Sequence, residues 1–205
     1  MDAAERLYAL HGVSGVSLRQ ISAAAGSANN YAVQYHFGTG GDLIRAVLKA
    51  RMPEVERQRA ALLAAAKAAD TLRDLRVLND ALYRPLVEHA NERGERWFGR
   101  FVLALFSTTG ALGHGRGSEQ LAPVSEHILD LQCAANPSIP AALLRERHRW
   151  LVIMILTSVF LPRDQPQDHD EALLDNALDM ATAALSAPVS KSVRAMLKTM
   201  QTRSR

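Results

Sequence analysis

Groups able to do covalent or metal chemistry are few and scattered in this 205-residue chain. It has no Gly-x-Ser-x-Gly elbow, no His-Glu-x-x-His helix, no Gly-Lys-Ser/Thr phosphate loop and no dinucleotide fingerprint. The densest set of metal-ligand types is Asp168, His169, Asp170 and Glu171, and consecutive acidic residues there also read as a solvated helix start favoured by the helix dipole. One cysteine, Cys133, excludes an internal disulfide and a cysteine-rich metal site; it reads as a small buried hydrophobe suited to a reducing cytoplasm. The Gly-rich 109–118, TGALGHGRGS, follows no strand and is expected to be a mobile loop. No catalytic residue, metal or cofactor is assigned, so an enzyme is not expected. The chemistry that remains is recognition, in the stretch SLRQISAAAGSANNYAVQYHF from Ser17 to Phe37.

The elements that must position this stretch are helical. Apolar residues recur at helical spacing throughout, and alternating β-branched runs and Asn-Gly hairpins are absent, so the fold class is all-α. Three capping boxes are expected, Asp2 with Glu5, Ser17 with Gln20 and Thr39 with Asp42. The first helix turns Ala4, Leu7 and Leu10 inward and stops at Gly12. The second buries Leu18, Ile21, Ala24 and Ala25 and stops at Gly26, a residue free to take the left-handed conformation. A helix opened by Thr39 buries Leu43, Ile44, Val47 and Leu48. Pro53 is expected to break or restart a helix, Pro85 to kink one, and Pro137 with Pro140 and the run 162–167 to separate others.

A capped helix, a glycine turn and a second short helix are the parts of a helix-turn-helix. On a helical wheel Val33 and Phe37 fall together as anchors. Tyr31 and Tyr35 point the other way, between Ala28 and Ala32 on one flank and Gln34 on the other. Such a face can hydrogen-bond phosphates and base edges and touch thymine methyls. Wheel geometry is equally met by a core hairpin whose polar residues face water. The formal charge of +3 permits an anionic partner without requiring one.

Within residues 4–48, the first-helix LYALHG, then VSLRQISAAAG, then YHF, then F-G-T-x-x-D-L follow in order. This segment resembles the DNA-binding domain of the TetR family of bacterial transcriptional regulators. The resemblance implies a DNA-binding domain over 1–48 and a larger helical regulatory domain over 49–205. It also implies that Ser17 and Arg19 approach the DNA backbone or groove edge, that Asn30, Tyr31, Gln34 and Tyr35 face the groove, and that His36 and Thr39 touch phosphate. The chain departs from the pattern with one extra residue between Gly26 and YHF, with Gln34 at a frequent tyrosine position, and with Gly40 at a frequent lysine position. It also begins inside what is usually a longer first helix with a basic arm. Each lost cation removes a phosphate contact, so binding weaker and less salt-sensitive than is usual for the family is expected.

The remainder, by the same resemblance, dimerises and holds a small effector. Trp97, Phe98, Phe101 and Phe106 form an apolar stripe that lines a pocket or is ordinary core, with His148 as a polar contributor. The helix from Ala141 to Leu161 is apolar on more than one face, including Trp150, Met154 and Leu161, as expected if it packs on its own core and on a second subunit. Ala177, Ala181 and Ala184 let the next helix pack closely and join a four-helix dimer interface. Such a dimer presents two reading helices to half-sites of an operator duplex about 34 Å apart. The apolar run 150–161 is shorter than the roughly 20 residues needed to span a bilayer, and MDAAERLYALHG has no signal-peptide pattern. The expected protein is a cytoplasmic, effector-released repressor with no membrane partner; the alternative is a helical small-molecule or partner-binding protein that has lost DNA binding.

Overall fold

Local capping fixes where two of the N-terminal helices begin. In the computed structural model of the chain, residues 1–29, 31–108, 121–161 and 170–195 are described. Helix α2 (Leu18–Ala24) opens on a complete box: Ser17 Oγ accepts from Gln20 N at 3.3 Å and Gln20 Oε1 accepts from Ser17 N at 2.8 Å. Helix α4 (Gly40–Ala68) opens on another, with Thr39 Oγ1 accepting from Asp42 N at 3.2 Å and Asp42 Oδ2 from Thr39 N at 3.0 Å. Helix α1 (Asp2–His11) lacks the expected box. Asp2 and Glu5 turn instead to the Arg51 guanidinium, Glu5 Oε2 accepting from Arg51 Nε at 2.8 Å. A guanidinium, itself charged, is a stronger partner for these carboxylates than the backbone N–H groups of the helix start.

Two expected faces are corrected. In α1 the buried residues are Ala4, Glu5 and Tyr8, and Leu10 is half exposed. The helix is rotated so that Tyr8 stacks on Phe101, with ring centroids 6.0 Å apart. In α2, Ile21 and Ser22 are buried while Ala24 and Ala25 are exposed, because a seven-residue helix has one inward turn to offer.

Prolines interrupt less than expected. Helix α4 runs 29 residues straight through Pro53 and past residue 48. Pro53 is exposed, and the carbonyl it leaves unpaired belongs to exposed Lys49, where water can satisfy it. Helix α5 (Leu75–Glu88) likewise continues through Pro85. In the turn that Pro85 disturbs, Arg59 Nε donates to Leu82 O at 2.8 Å. Helices α6 (Trp97–Ser107), α7 (Pro123–Ala135), α8 (Ala141–Phe160) and α9 (Asp170–Ser186) follow, and residues 191–195 form a further exposed helical turn. Pro137 and Pro140 do separate α7 from α8. No strand occurs among the described residues, and the chain is all-α there.

One apolar core runs from Ala4, Tyr8, Ile21 and Val47 at the N-terminal end, through Phe98 and Phe101, to Ile155, Leu178 and Leu185. Helix α1 lies along α6, α4 along α5, and α9 along α8. The α6–α8 approach requires Gly99: a Cβ there would lie 2.4 Å from Phe160 Cε2 and 3.0 Å from Leu86 O. Buried polar groups tie the body together. Gln132 Nε2 donates to Asn79 Oδ1 and Asn79 Nδ2 to Thr182 Oγ1, both at 2.9 Å, joining α7, α5 and α9. Glu56 pairs with buried Arg59 at 2.9 Å and accepts from Val124 N at 2.6 Å, capping α7 from α4.

Among the described residues no helix is long and apolar enough to cross a membrane. Asn30, the loop 109–118, the break at 162–167, Asp168 and the basic tail beyond Arg194 and Ala195 lie outside the described residues.

Candidate nucleic-acid interface

The turn between α2 and the short helix that follows is closed by backbone hydrogen bonds around a glycine. Gly26 has φ +73°; its N–H donates to Ala23 O at 3.0 Å and the N–H of Ser27 to Ser22 O at 3.1 Å, which together close the end of α2. Ser27 Oγ then accepts from Asn29 N at 3.2 Å, and Asn29 Oδ1 accepts from Tyr31 N at 2.9 Å. Helix α3 (Ala32–Phe37) starts only after these steps, so Asn29 and Tyr31 precede it, with Tyr31 as its N-cap residue. Ser22, wholly buried, bridges the two helices: its Oγ accepts from Val33 N at 3.3 Å. Val33 and Phe37 pack against the core, half-buried, as the wheel expects.

The outward face is open. Tyr35 is 85% and Tyr31 60% exposed, and Gln34 is exposed beside them with no side-chain hydrogen bond among the described residues. His36 meets the Tyr35 ring edge-on at 5.4 Å, and the Arg19 guanidinium lies 6.0 Å from the Tyr31 ring centre. Ser17, Arg19, Tyr31, Gln34, Tyr35, His36 and Thr39 are all exposed. Ser17 and Thr39 act as caps, each donating its hydroxyl proton within its box, to Gln20 Oε1 at 2.8 Å and to Asp42 Oδ2 at 2.6 Å. Hydrogen bonds from Thr39 and then Arg45 hold the Asp42 carboxyl down at about 2. Arg45 is committed to Asp42, and Arg51 to Glu5 and Asp2, while exposed Arg19 and Lys49 have no ion-pair partner among the described residues.

Sequence reading missed Ser22, Ser27 and Asn29 as the residues that set the angle of α3. The signal was present: a serine on the inward side of a short capped helix, and a Ser-x-Asn run just after a turn glycine.

The residues expected to hold an effector differ in their surroundings. Phe98 and Phe101 have no accessible surface at all, so neither borders a space large enough for water. They are core, wedged with Tyr8 and His89, at ring distances of 6.1 Å from one another and 5.3 Å between Phe98 and His89. Trp97 lies between the guanidinium groups of Arg6 and Arg100, at 5.6 and 5.5 Å. Phe106 is half-buried at the far end of α6. His148 Nδ1 pairs with the Tyr83 hydroxyl at 2.7 Å. Burial, and then Arg59 and Arg145, push its pKa down to about 3, so the imidazole is neutral. A shallow groove of about 470 Å³ lies elsewhere, along Pro123, Glu126, His127, Asp130 and Arg145.

The residues expected at a dimer interface divide. Trp150 is 72% and Leu161 55% exposed, Met154 is half-buried, and Ala184 is exposed. Ala177 and Ala181 are fully buried against this chain's own core, where α9 packs closely on α8. Met180, not singled out from the sequence, is half exposed on α9. Comparison of the chain with protein-family models finds no match, and comparison with curated proteins finds none.

Proposed function

We propose that the chain is a ligand-responsive DNA-binding transcriptional regulator of the TetR type, a repressor that binds a palindromic operator as a homodimer and is released by a small apolar effector. The observation that carries this reading is the open Tyr31–Gln34–Tyr35 face, held at a fixed angle by Ser22 and the Ser27–Asn29 turn. Two aromatic rings standing in water at the start and on the outer side of a helix anchored from behind offer a surface that a partner can cover.

The exposed Trp150 on α8, Leu161 just after it and Met180 on α9 are the surface through which two copies join. Effector control follows from packing. Phe98 and Phe101 have no free surface, so an effector reaches the α6 stripe only by shifting α6. Helix α6 carries α1 with it through Tyr8–Phe101 and Arg6–Trp97. An effector that prefers the shifted state moves the two reading heads away from operator spacing.

One observation favours a second reading, a helical small-molecule or partner-binding protein without DNA binding: no Lys or Arg occurs between Arg19 and Arg45. Fluorescence anisotropy with duplex DNA from upstream of the gene, at two salt concentrations, separates the two. The regulator binds saturably and selectively and loses binding in the Tyr35→Ala, His36→Ala double variant. With Arg19 and Lys49 as the unpaired cations of each head, the slope of log K against log salt is expected near −4 for a dimer. Absence of selective binding at both salt concentrations establishes the second reading.

A further inference from the structure

The open face has a chemical bias that bears on which base pairs it reads. Guanine is most often read by an arginine or lysine fork on O6 and N7. Between Arg19 and Arg45 the chain has neither residue. Arg45 is tied to Asp42, and Arg19 sits at the second position of α2 against the Tyr31 ring, at the border of the face rather than on α3. Cytosine is read by a carboxylate that accepts from N4. The one carboxylate in this stretch, Asp42, already accepts from Thr39 and Arg45. The face therefore lacks the charged readers of a G·C pair.

It does present the readers of an A·T pair. Gln34 is exposed on α3, and its amide is unengaged among the described residues. One amide can donate to adenine N7 while accepting from N6, the bidentate pairing that distinguishes adenine in the major groove. Tyr35 and Tyr31 bring apolar ring surface, and the exposed methyl of Ala28 lies before them in the turn. Apolar groups of this kind discriminate through the C5-methyl of thymine. Exposed Ala23, Ala24 and Ala25 keep the end of α2 small, so the backbone can approach the duplex closely.

We infer that this head recognises A·T-rich half-sites, with Gln34 reading adenine and the tyrosine–alanine surface reading thymine methyls, while Arg19 contributes backbone attraction that does not depend on sequence. The inference rests on the DNA-binding reading above and narrows it to a class of operator.

The test begins with selection of bound duplexes from a pool of randomised 30-base-pair DNA, using the full chain. Enrichment of A·T pairs in the half-sites is expected. In the selected duplex, replacing thymine by uracil removes only the methyl, and replacing adenine by 7-deazaadenine removes only N7. Both changes are expected to weaken binding by the wild-type chain, the second by about tenfold. Gln34→Ala is expected to be insensitive to the 7-deaza change. Arg19→Ala should weaken A·T and G·C duplexes alike and make the salt slope shallower by about one per subunit. Selection of G·C-rich half-sites, or indifference of the wild-type chain to both base analogues, overturns the inference and leaves the regulator reading standing. Selection that enriches no sequence overturns both. The analogue arms use the unaltered protein, so they hold even where a variant folds poorly.

Discussion

Helix α3 has no buried side chain, whereas α8 has seven, among them Leu144, Ile155 and Leu156. The first is held by hydrogen bonds of local origin, Ser22 to Val33 and Asn29 to Tyr31, with two half-buried anchors behind it. The second is held by apolar burial against α6 and α9. Burying a leucine or phenylalanine side chain contributes about 2–3 kcal/mol, while a typical hydrogen bond contributes about 1 kcal/mol net. Within one chain the α3 end of the N-terminal head is therefore expected to open more readily than the α8 body. The α1–α6 seam, with Tyr8 on Phe101 and Arg6 over Trp97, is where the two meet.

The sharpest way to break the comparison is Phe101→Ala. It empties a fully buried site between α1 and α6, and a loss of about 3–5 kcal/mol is expected in urea unfolding. Head and body should loosen together in hydrogen exchange; a loss confined to the head would show that the seam does not couple them.

Acid should weaken the body before the head. The pKa of His148 in the folded chain is about 3, below that of the unfolded chain, so the unfolded state binds the extra proton first. Its contribution is fully present above about pH 6.5 and declines as pH falls through that range toward 3. Urea unfolding between pH 6.5 and 5 is expected to show a loss of about 2 kcal/mol. Burial also pushes His89 down, which adds with the same sign. His148→Gln should flatten the dependence. In the head, the Asp42 contribution is present above about pH 3.8 and is lost as pH falls toward 2, so the box of α4 should outlast the body's decline.

Ser22→Ala removes the acceptor of Val33 N–H, at an expected cost of about 1 kcal/mol. Faster amide exchange should be confined to α2 and α3. If α8 exchanges faster too, the head is not a separate low-stability unit. The smallest effect on stability is expected from Tyr35→Ala, within about 0.5 kcal/mol of wild type in thermal or urea unfolding. Its ring is open to water, so a larger loss would mean that it serves the fold rather than a partner.

Legibility of the sequence followed the range of the forces. The boxes at Ser17 and Thr39, the positive φ of Gly26 and the break at Pro137 and Pro140 involve residues within a turn of one another, and local order suffices to read them. The box expected at Asp2 failed because Arg51, distant in sequence, draws Asp2 and Glu5 away. Pro53 failed as a breaker because its side of α4 faces water. The inward turn of Tyr8 instead of Leu10 depends on where α6 places Phe101.

By itself the sequence determined that the chain is helical, where most of its helices start and stop, and that an amide- and tyrosine-bearing segment follows a glycine turn, because those properties come from periodicity and neighbours a few residues apart. Only the tertiary structure decided that Tyr31 and Tyr35 stand in water, that Phe98 and Phe101 are sealed core, and that Ala177 and Ala181 are buried where α9 meets α8. Exposure is a property of what packs on the other side of a helix, and that is set by elements far away along the chain.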